Sequence, residues 1–209
     1  MDGIKNNETH QKLISTALNL FKKQGYAETP ITEVCEAVGI AKNTFYYYFK
    51  SKEELLLACM QGQKTLDMSE VTAILLSGKG YFEQFWAIQQ PQIDFVRSCG
   101  SEIMRNISHS HAPRGEGRRM YGKSEERQKV EIAILQKAQE AGEIGGHITP
   151  HLLSVSASIQ FLGLLTLWVS MDGAFDFEKA LRSCFETFFD VKQELRQGGD
   201  LYAQLANGL

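Results

Sequence analysis

Apolar residues recur at helical spacing along almost the whole chain. From Thr9 to Gly25, the residues Leu13, Ile14, Ala17, Leu18 and Phe21 share one face, and Gly25 stops the run. A second helix is predicted with Thr29 as N-cap and Pro30 at its first position. Its apolar face is Ile31, Val34, Cys35 and Val38, and Gly39 ends it. After a very short turn, a third helix is predicted over about Lys42–Lys50. Ser51 caps a fourth, with Glu53 and Glu54 near the positive end of its dipole.

That fourth helix is expected to run on to Leu76, before the break at Gly78–Gly80. Tyr81–Ser98 reads as a helix kinked near Pro91, and Ser101 to about His109 as a short separate one. Further helices are expected over about Arg118–Ala141, from Pro150 through Met171, and from Asp176, where Phe177, Ala180, Leu181, Cys184, Phe185, Phe188 and Phe189 keep the helical period. No stretch reads as a strand, a repeat or a linker. The fold is expected to be all-α with roughly nine helices. Residues 1–50 are expected to form a three-helix head, and residues 51–209 a larger helical domain.

Composition changes this picture little. Hydrophobic residues make up 43% and charged residues 22% of 209, the balance of a chain that buries a core. The formal charge of -3 argues against a general nucleic-acid coat, but residues 1–64 hold 8 Lys against 7 acidic residues, leaving the front the better face for an anion. Cys35, Cys59, Cys99 and Cys184 form no CxxC, and read as buried free thiols in a reducing, cytoplasmic setting. The start, MDGIKNNETHQK, has no apolar core and is read as no signal peptide. Leu152–Met171 has no charged residue, yet carries Ser154, Ser156, Ser158, Gln160, Thr166 and Ser170; it reads as a helix buried between helices, not a membrane span.

The stretch GIAKNTFYYYFKSKEELL carries the chemistry. Two short helices separated by Gly39-Ile40-Ala41 make a helix-turn-helix pattern. Phe45 and Phe49 anchor the second helix. Asn43, Thr44 and Tyr47 then point away, with Lys42, Tyr46 and Tyr48 at the flanks. Three successive tyrosines spread over about 200° of a helix, so they cannot all be core. A tyrosine ring suits thymine methyls and sugars, and its hydroxyl suits phosphates. Lys52 is expected to meet a phosphate beside the N-terminal amides of the next helix. Thr29 and Thr32, at the front of the second helix, complete the candidate DNA contacts.

Gly25-Tyr26, Thr29 and VCEAVGIAKNTFYYYFKSKEELL together resemble the TetR family of bacterial transcriptional regulators, over Glu8 to Leu57. Farther on, LQKAQEAGEI followed by an apolar helix with Gly163 and Trp168 is also similar to that family. Two departures stand out. Ala41 occupies the position where such proteins usually carry a capping residue, and no arginine precedes Arg97. Contact with thymine methyls and phosphates is therefore expected to outweigh reading of G·C pairs.

The resemblance implies a homodimer joined by the last two long helices of each subunit, an expectation that their apolar surface supports. Two reading heads would then meet successive major grooves of a palindromic double-stranded operator, about 34–36 Å apart. It also implies a small-molecule effector pocket in the middle helices, with Phe85, Trp86, Gln89, Met104, Tyr121, Gln160 and Trp168 as candidate lining. Aromatic walls with few charges suit an apolar or aromatic ligand.

His109, His111, His147 and His151 have no partner at ligand spacing, so no metal is expected. No nucleophile–base pair or cofactor loop stands out, and neither enzymatic activity nor a cofactor is expected. The sequence thus reads as a ligand-released repressor. An activator, or a DNA-binding adaptor regulated by a protein partner, is the alternative.

Overall fold

A computed structural model describes residues 2–61, 67–109 and 125–206 of the chain. Among these, every regular element is helical: α1 (Asp2–Gln24), α2 (Ile31–Val38), α3 (Lys42–Tyr48), α4 (Lys52–Gln61), α5 (Met68–Leu75), α6 (Tyr81–His109), α7 (Glu125–Glu140), α8 (Pro150–Ser170), α9 (Phe177–Phe188) and α10 (Leu201–Ala206), with a 3-10 turn at Gln193–Leu195. The all-α expectation holds. Two compact units form, one from Met1–Gln63 with Ser98–Met120, the other from Lys64–Arg97 with Tyr121–Leu209. The boundary expected near Ser51 marks the end of the helix-turn-helix, but the compact unit continues through α4, which packs along α1.

In the first unit, Leu13, Ala17 and Phe21 of α1 bury against Val34 and Cys35 of α2, Phe45 and Phe49, and Leu55, Leu56 and Cys59 of α4. Gly39 stops α2 in the left-handed region, at φ 80° and ψ 38°, and its amide donates to the Cys35 and Glu36 carbonyls. Glycine enters that region without the Cβ clash other residues meet. Ser51 caps α4 as expected: its hydroxyl accepts from the Glu54 amide at 3.2 Å.

In the second unit, Phe82, Phe85, Phe185 and Phe189 make the aromatic centre, with Phe185 and Phe189 stacked at 5.5 Å. α8 packs between α7 and α9. It is long and apolar enough to cross a membrane, and 44% of its most apolar stretch is buried. Leu153, Ala157, Leu164, Leu165 and Trp168 face inward, whereas Leu152, Ile159, Leu162 and Leu167 stay exposed.

Four boundaries differ from those predicted. The long fourth helix is two, α4 and α5, because Asp67 opens a fresh N-terminus: its carboxylate accepts from the Glu70 amide at 2.9 Å while Glu70 accepts from the Asp67 amide at 3.1 Å. The kink expected near Pro91 is absent, whereas the break expected between Ser98 and Ser101 falls at Gly100, φ 75° and ψ 167°. That conformation is open to glycine and closed to L side chains, whereas Pro91 keeps helical angles and forfeits only a hydrogen bond. The second helix starts at Ile31 with Pro30 as N-cap and no side-chain cap, so Thr29 does not cap it. Lastly, the chain after α9 folds back as a strap, with α10 beyond it. The predicted start near Arg118 lies outside the described residues.

The strap explains why α9 buries Arg182, Ser183 and Glu186. The Glu186 carboxylate accepts from the backbone amides of Gln197 at 2.7 Å and Gly198 at 2.9 Å. Arg182 pairs with Glu186 and with Glu83, and lies over the Phe82 and Trp86 rings at 5.2 and 5.0 Å.

Candidate nucleic-acid interface

The seven residues of α3 divide cleanly by face. Phe45 is fully buried and Phe49, just past the C-terminus, is 3% exposed; their rings meet at 5.9 Å. These two anchors fix which way the rest of the helix points. Lys42 and Asn43 are exposed, Thr44 is half-buried, and Tyr46 and Tyr47 stand 47% and 73% exposed. Ala41 occupies the N-cap without a side-chain bond, as its residue type dictates; the turn is closed by the Thr44 amide donating to the Ala41 carbonyl at 2.9 Å. Thr32, on the first turn of α2, is exposed as well.

The other three candidates are committed to the unit itself. Thr29 is fully buried and its hydroxyl donates to the Gly25 carbonyl at 2.7 Å, so that group is turned away from any phosphate. Lys52 is half-buried: its ammonium lies 4.3 Å from the centroid of Tyr26 and donates to the Ala27 carbonyl at 3.3 Å. Burial holds its pKa below the ordinary lysine value, the price of resting on a ring rather than in water. Tyr48 is half-buried between His10 and Tyr47. The Tyr26 hydroxyl is buried beside the Glu53 carboxylate, and burial first, then that carboxylate, raise its pKa.

The residues proposed to line an effector pocket fall in both compact units and, in one case, outside the described residues. Phe85 and Trp86 are buried in the second unit, and Trp168 is fixed there by its indole N–H donating to the Phe175 carbonyl at 2.9 Å. Met104 is buried in the first unit, and Tyr121 lies outside the described residues. Gln89 is satisfied: it donates to Glu131 at 3.1 Å and accepts from Arg127 at 3.3 Å. Gln160 is the exception, with a buried amide nitrogen that has no acceptor. A cavity of about 180 Å³ does exist in the second unit, but Leu75, Tyr81, Gln84, Val130, Ala133, Ile134 and Lys137 line it.

Sequence reading missed the polar centre of that unit. Glu131 is fully buried, and besides Gln89 it accepts from Arg127 Nε at 3.2 Å and Ser154 at 3.1 Å. The signal was available: Glu131 sits in the buried stripe of α7 with Ile134, Leu135 and Ala138, at the spacing reserved for apolar residues. No group of metal-binding side chains occurs among the described residues.

A short helix pinned by two phenylalanines, its polar face outward and a second helix tucked behind it, is a helix-turn-helix DNA-binding head, here followed by a larger all-helical unit. Residues 13–59 match the family described as bacterial regulatory proteins, tetR family. Over these residues the head is similar to that of TetR-family regulators. The uncharacterized HTH-type transcriptional regulator YerO of Bacillus subtilis is 40% identical over 68 residues, 32% of this chain and 24% of that protein. The transcriptional regulator AcuR of Cereibacter sphaeroides is 23% identical over 79% of this chain and 74% of that protein. The match thus spans about a quarter of the length of YerO, concentrated in the head. In fold, the crystal structure of a transcriptional regulator from Cytophaga hutchinsonii superposes with a TM-score of 0.64 at 18% identity, covering 88% of this chain and 97% of that one.

Proposed function

We propose that this protein is a transcriptional regulator that binds double-stranded DNA through α3, acting as a homodimeric repressor released from a palindromic operator by a small molecule. The observation that carries the DNA contact is the outward face of α3, where Lys42, Asn43, Tyr46 and Tyr47 are exposed around a helix locked by Phe45 and Phe49. Such a face offers groove-reading groups at no cost in folding. Tyr48, Thr29 and Lys52 serve this surface from behind rather than at the groove.

The homodimer is supported by α8, which exposes Leu152, Ile159, Leu162 and Leu167 on a helix without a charge, with Phe188 of α9 exposed too. An apolar stripe of that length asks for a partner surface. The strap lies against Ser183 and Glu186 of α9, so α8 supplies most of the exposed apolar surface. An effector with a hydrogen-bond acceptor on an otherwise apolar body would satisfy the Gln160 amide. Release follows only if the effector prefers a state whose heads no longer fit adjacent grooves.

The test is binding selection from a random double-stranded pool at moderate salt, with the wild type beside Asn43→Ala/Tyr47→Ala. An enriched palindrome that disappears in the variant is the expected result. A wild-type protein that enriches no sequence would refute the reading.

A further inference from the structure

The run of tyrosines on α3 is braced by a residue on a different helix. The His10 ring on α1 stacks on Phe49, centroids 4.9 Å apart and planes 25° from parallel. The same ring lies 6.1 Å from Tyr48, tilted by 55°. Tyr48 in turn meets Tyr47 edge to face, at 5.1 Å and 87°. His10 and Tyr48 are half-buried, while Tyr47 is 73% exposed. A line of ring contacts therefore runs from α1 through Tyr48 to the most exposed aromatic of α3.

An exposed tyrosine on a short helix ordinarily samples several rotamers, and each rotamer lost on binding costs affinity. Edge-to-face contact removes part of that freedom in advance. Tyr47 lies one helical turn from Asn43, so both address the same stretch of groove. Asparagine pairs with adenine, and an apolar ring meets the thymine methyl. No arginine is present on α3 to draw the reading toward guanine.

We propose that His10 is a positioning residue of the DNA-reading surface: through Tyr48 it holds the Tyr47 ring in the orientation that meets a thymine methyl. His10 itself touches no base. The proposal rests on α3 being the recognition helix, as argued above. It makes discrimination for thymine depend on a ring carried by another helix.

The test replaces thymine by uracil, which deletes only the methyl, across the half-site of the operator selected by the wild-type protein. Loss of one buried methyl corresponds to about a fourfold weaker Kd. That penalty is expected in the wild type and absent in Tyr47→Ala. His10→Phe, which keeps a stacking ring, retains the penalty; His10→Leu, which fills the space without a ring, loses it. The slope of log Kd against log salt stays unchanged in both His10 variants, because no phosphate contact is altered. Thermal unfolding midpoints identify any variant that fails to fold, and the Phe and Leu pair keeps the comparison decisive if one does. A wild type indifferent to uracil overturns the proposal, as does a folded His10→Leu variant that keeps the full penalty. Failure of the wild type to select any operator overturns instead the DNA-binding reading on which the proposal stands.

Discussion

Gly198 lies so close to Ser183 that a Cβ at Gly198 would fall 2.5 Å from the Ser183 amide nitrogen and 2.6 Å from its hydroxyl. Two of the neighbours are backbone atoms, so no side chain can swing away to make room. Gly198→Ala is expected to lift the strap from α9, losing the amide bonds to Glu186 and wetting Arg182. Destabilisation of about 1–3 kcal/mol follows, or some 2–4 °C in Tm for each kcal/mol. Thermal unfolding monitored by circular dichroism reads it. A Tm equal to wild type would mean that the strap is not held by this contact.

Glu131→Ala is expected to cost about 3–5 kcal/mol, since it strands the Arg127 guanidinium and the Gln89 amide in the core. Glu131→Gln keeps an oxygen for one donor and should cost less. Urea unfolding of the two variants side by side gives the order; the reverse order would show that the charge is not what holds the cluster.

Gln160→Leu should stabilise the protein by about 1 kcal/mol, because it deletes a buried amide nitrogen that has no acceptor. The same change should weaken any effector that supplies an acceptor there. Differential scanning calorimetry without ligand tests the first half, and a lower Tm in the variant would refute it.

Thr29→Val keeps the shape of a fully buried side chain and removes one hydrogen bond to Gly25. A loss of about 1 kcal/mol is expected. The affinity for DNA should not change, since the Thr29 hydroxyl donates to the Gly25 carbonyl rather than to a phosphate. A weaker DNA affinity in the folded variant would return Thr29 to the interface.

Burial pushes the Cys59 thiol up to about 12 and the Cys99 thiol up to about 11. An ordinary thiol ionises near about 8.5. Above that pH the unfolded chain gives up protons that the folded protein keeps, so the unfolded state binds fewer and stability falls as pH rises. Their contribution is complete below about pH 8.5 and is lost progressively toward about 11–12. Tm measured between pH 8 and pH 10.5 should fall more steeply in the wild type than in Cys59→Ala/Cys99→Ala, and equal slopes would exclude the thiols. For the same reason neither thiol should react with iodoacetamide at pH 8 in the folded protein.

What the sequence revealed follows a physical division. Spacing alone disclosed the α2–α3 pair, because Phe45 and Phe49 sit one turn apart and Gly39 needs a left-handed angle; both are local facts. The exposure of Asn43 and Tyr47 followed from those anchors. The partners of Lys52 and Thr29, the Tyr26 ring and the Gly25 carbonyl, were not legible because they come from the α1–α2 connection, which no helical period describes. The gap between Ser98 and Ser101 foretold the break at Gly100, whereas the kink expected at Pro91 did not appear. The strap was invisible because Arg182 and Glu186 look like solvent-facing charges until the backbone amides of Gln197 and Gly198 are brought to them. Glu131 was legible, as a charge in an apolar stripe, and was passed over.

The near-balance of charge in residues 1–64, together with a Lys52 that rests on Tyr26, bears on how such a regulator would find its site. Attraction to random DNA grows with each lysine or arginine that displaces counterions, and here few are offered. Copies of the protein would spend little time parked on the bulk of the chromosome. Most would stay free to sample, and a small number of molecules per cell would suffice to keep one operator occupied.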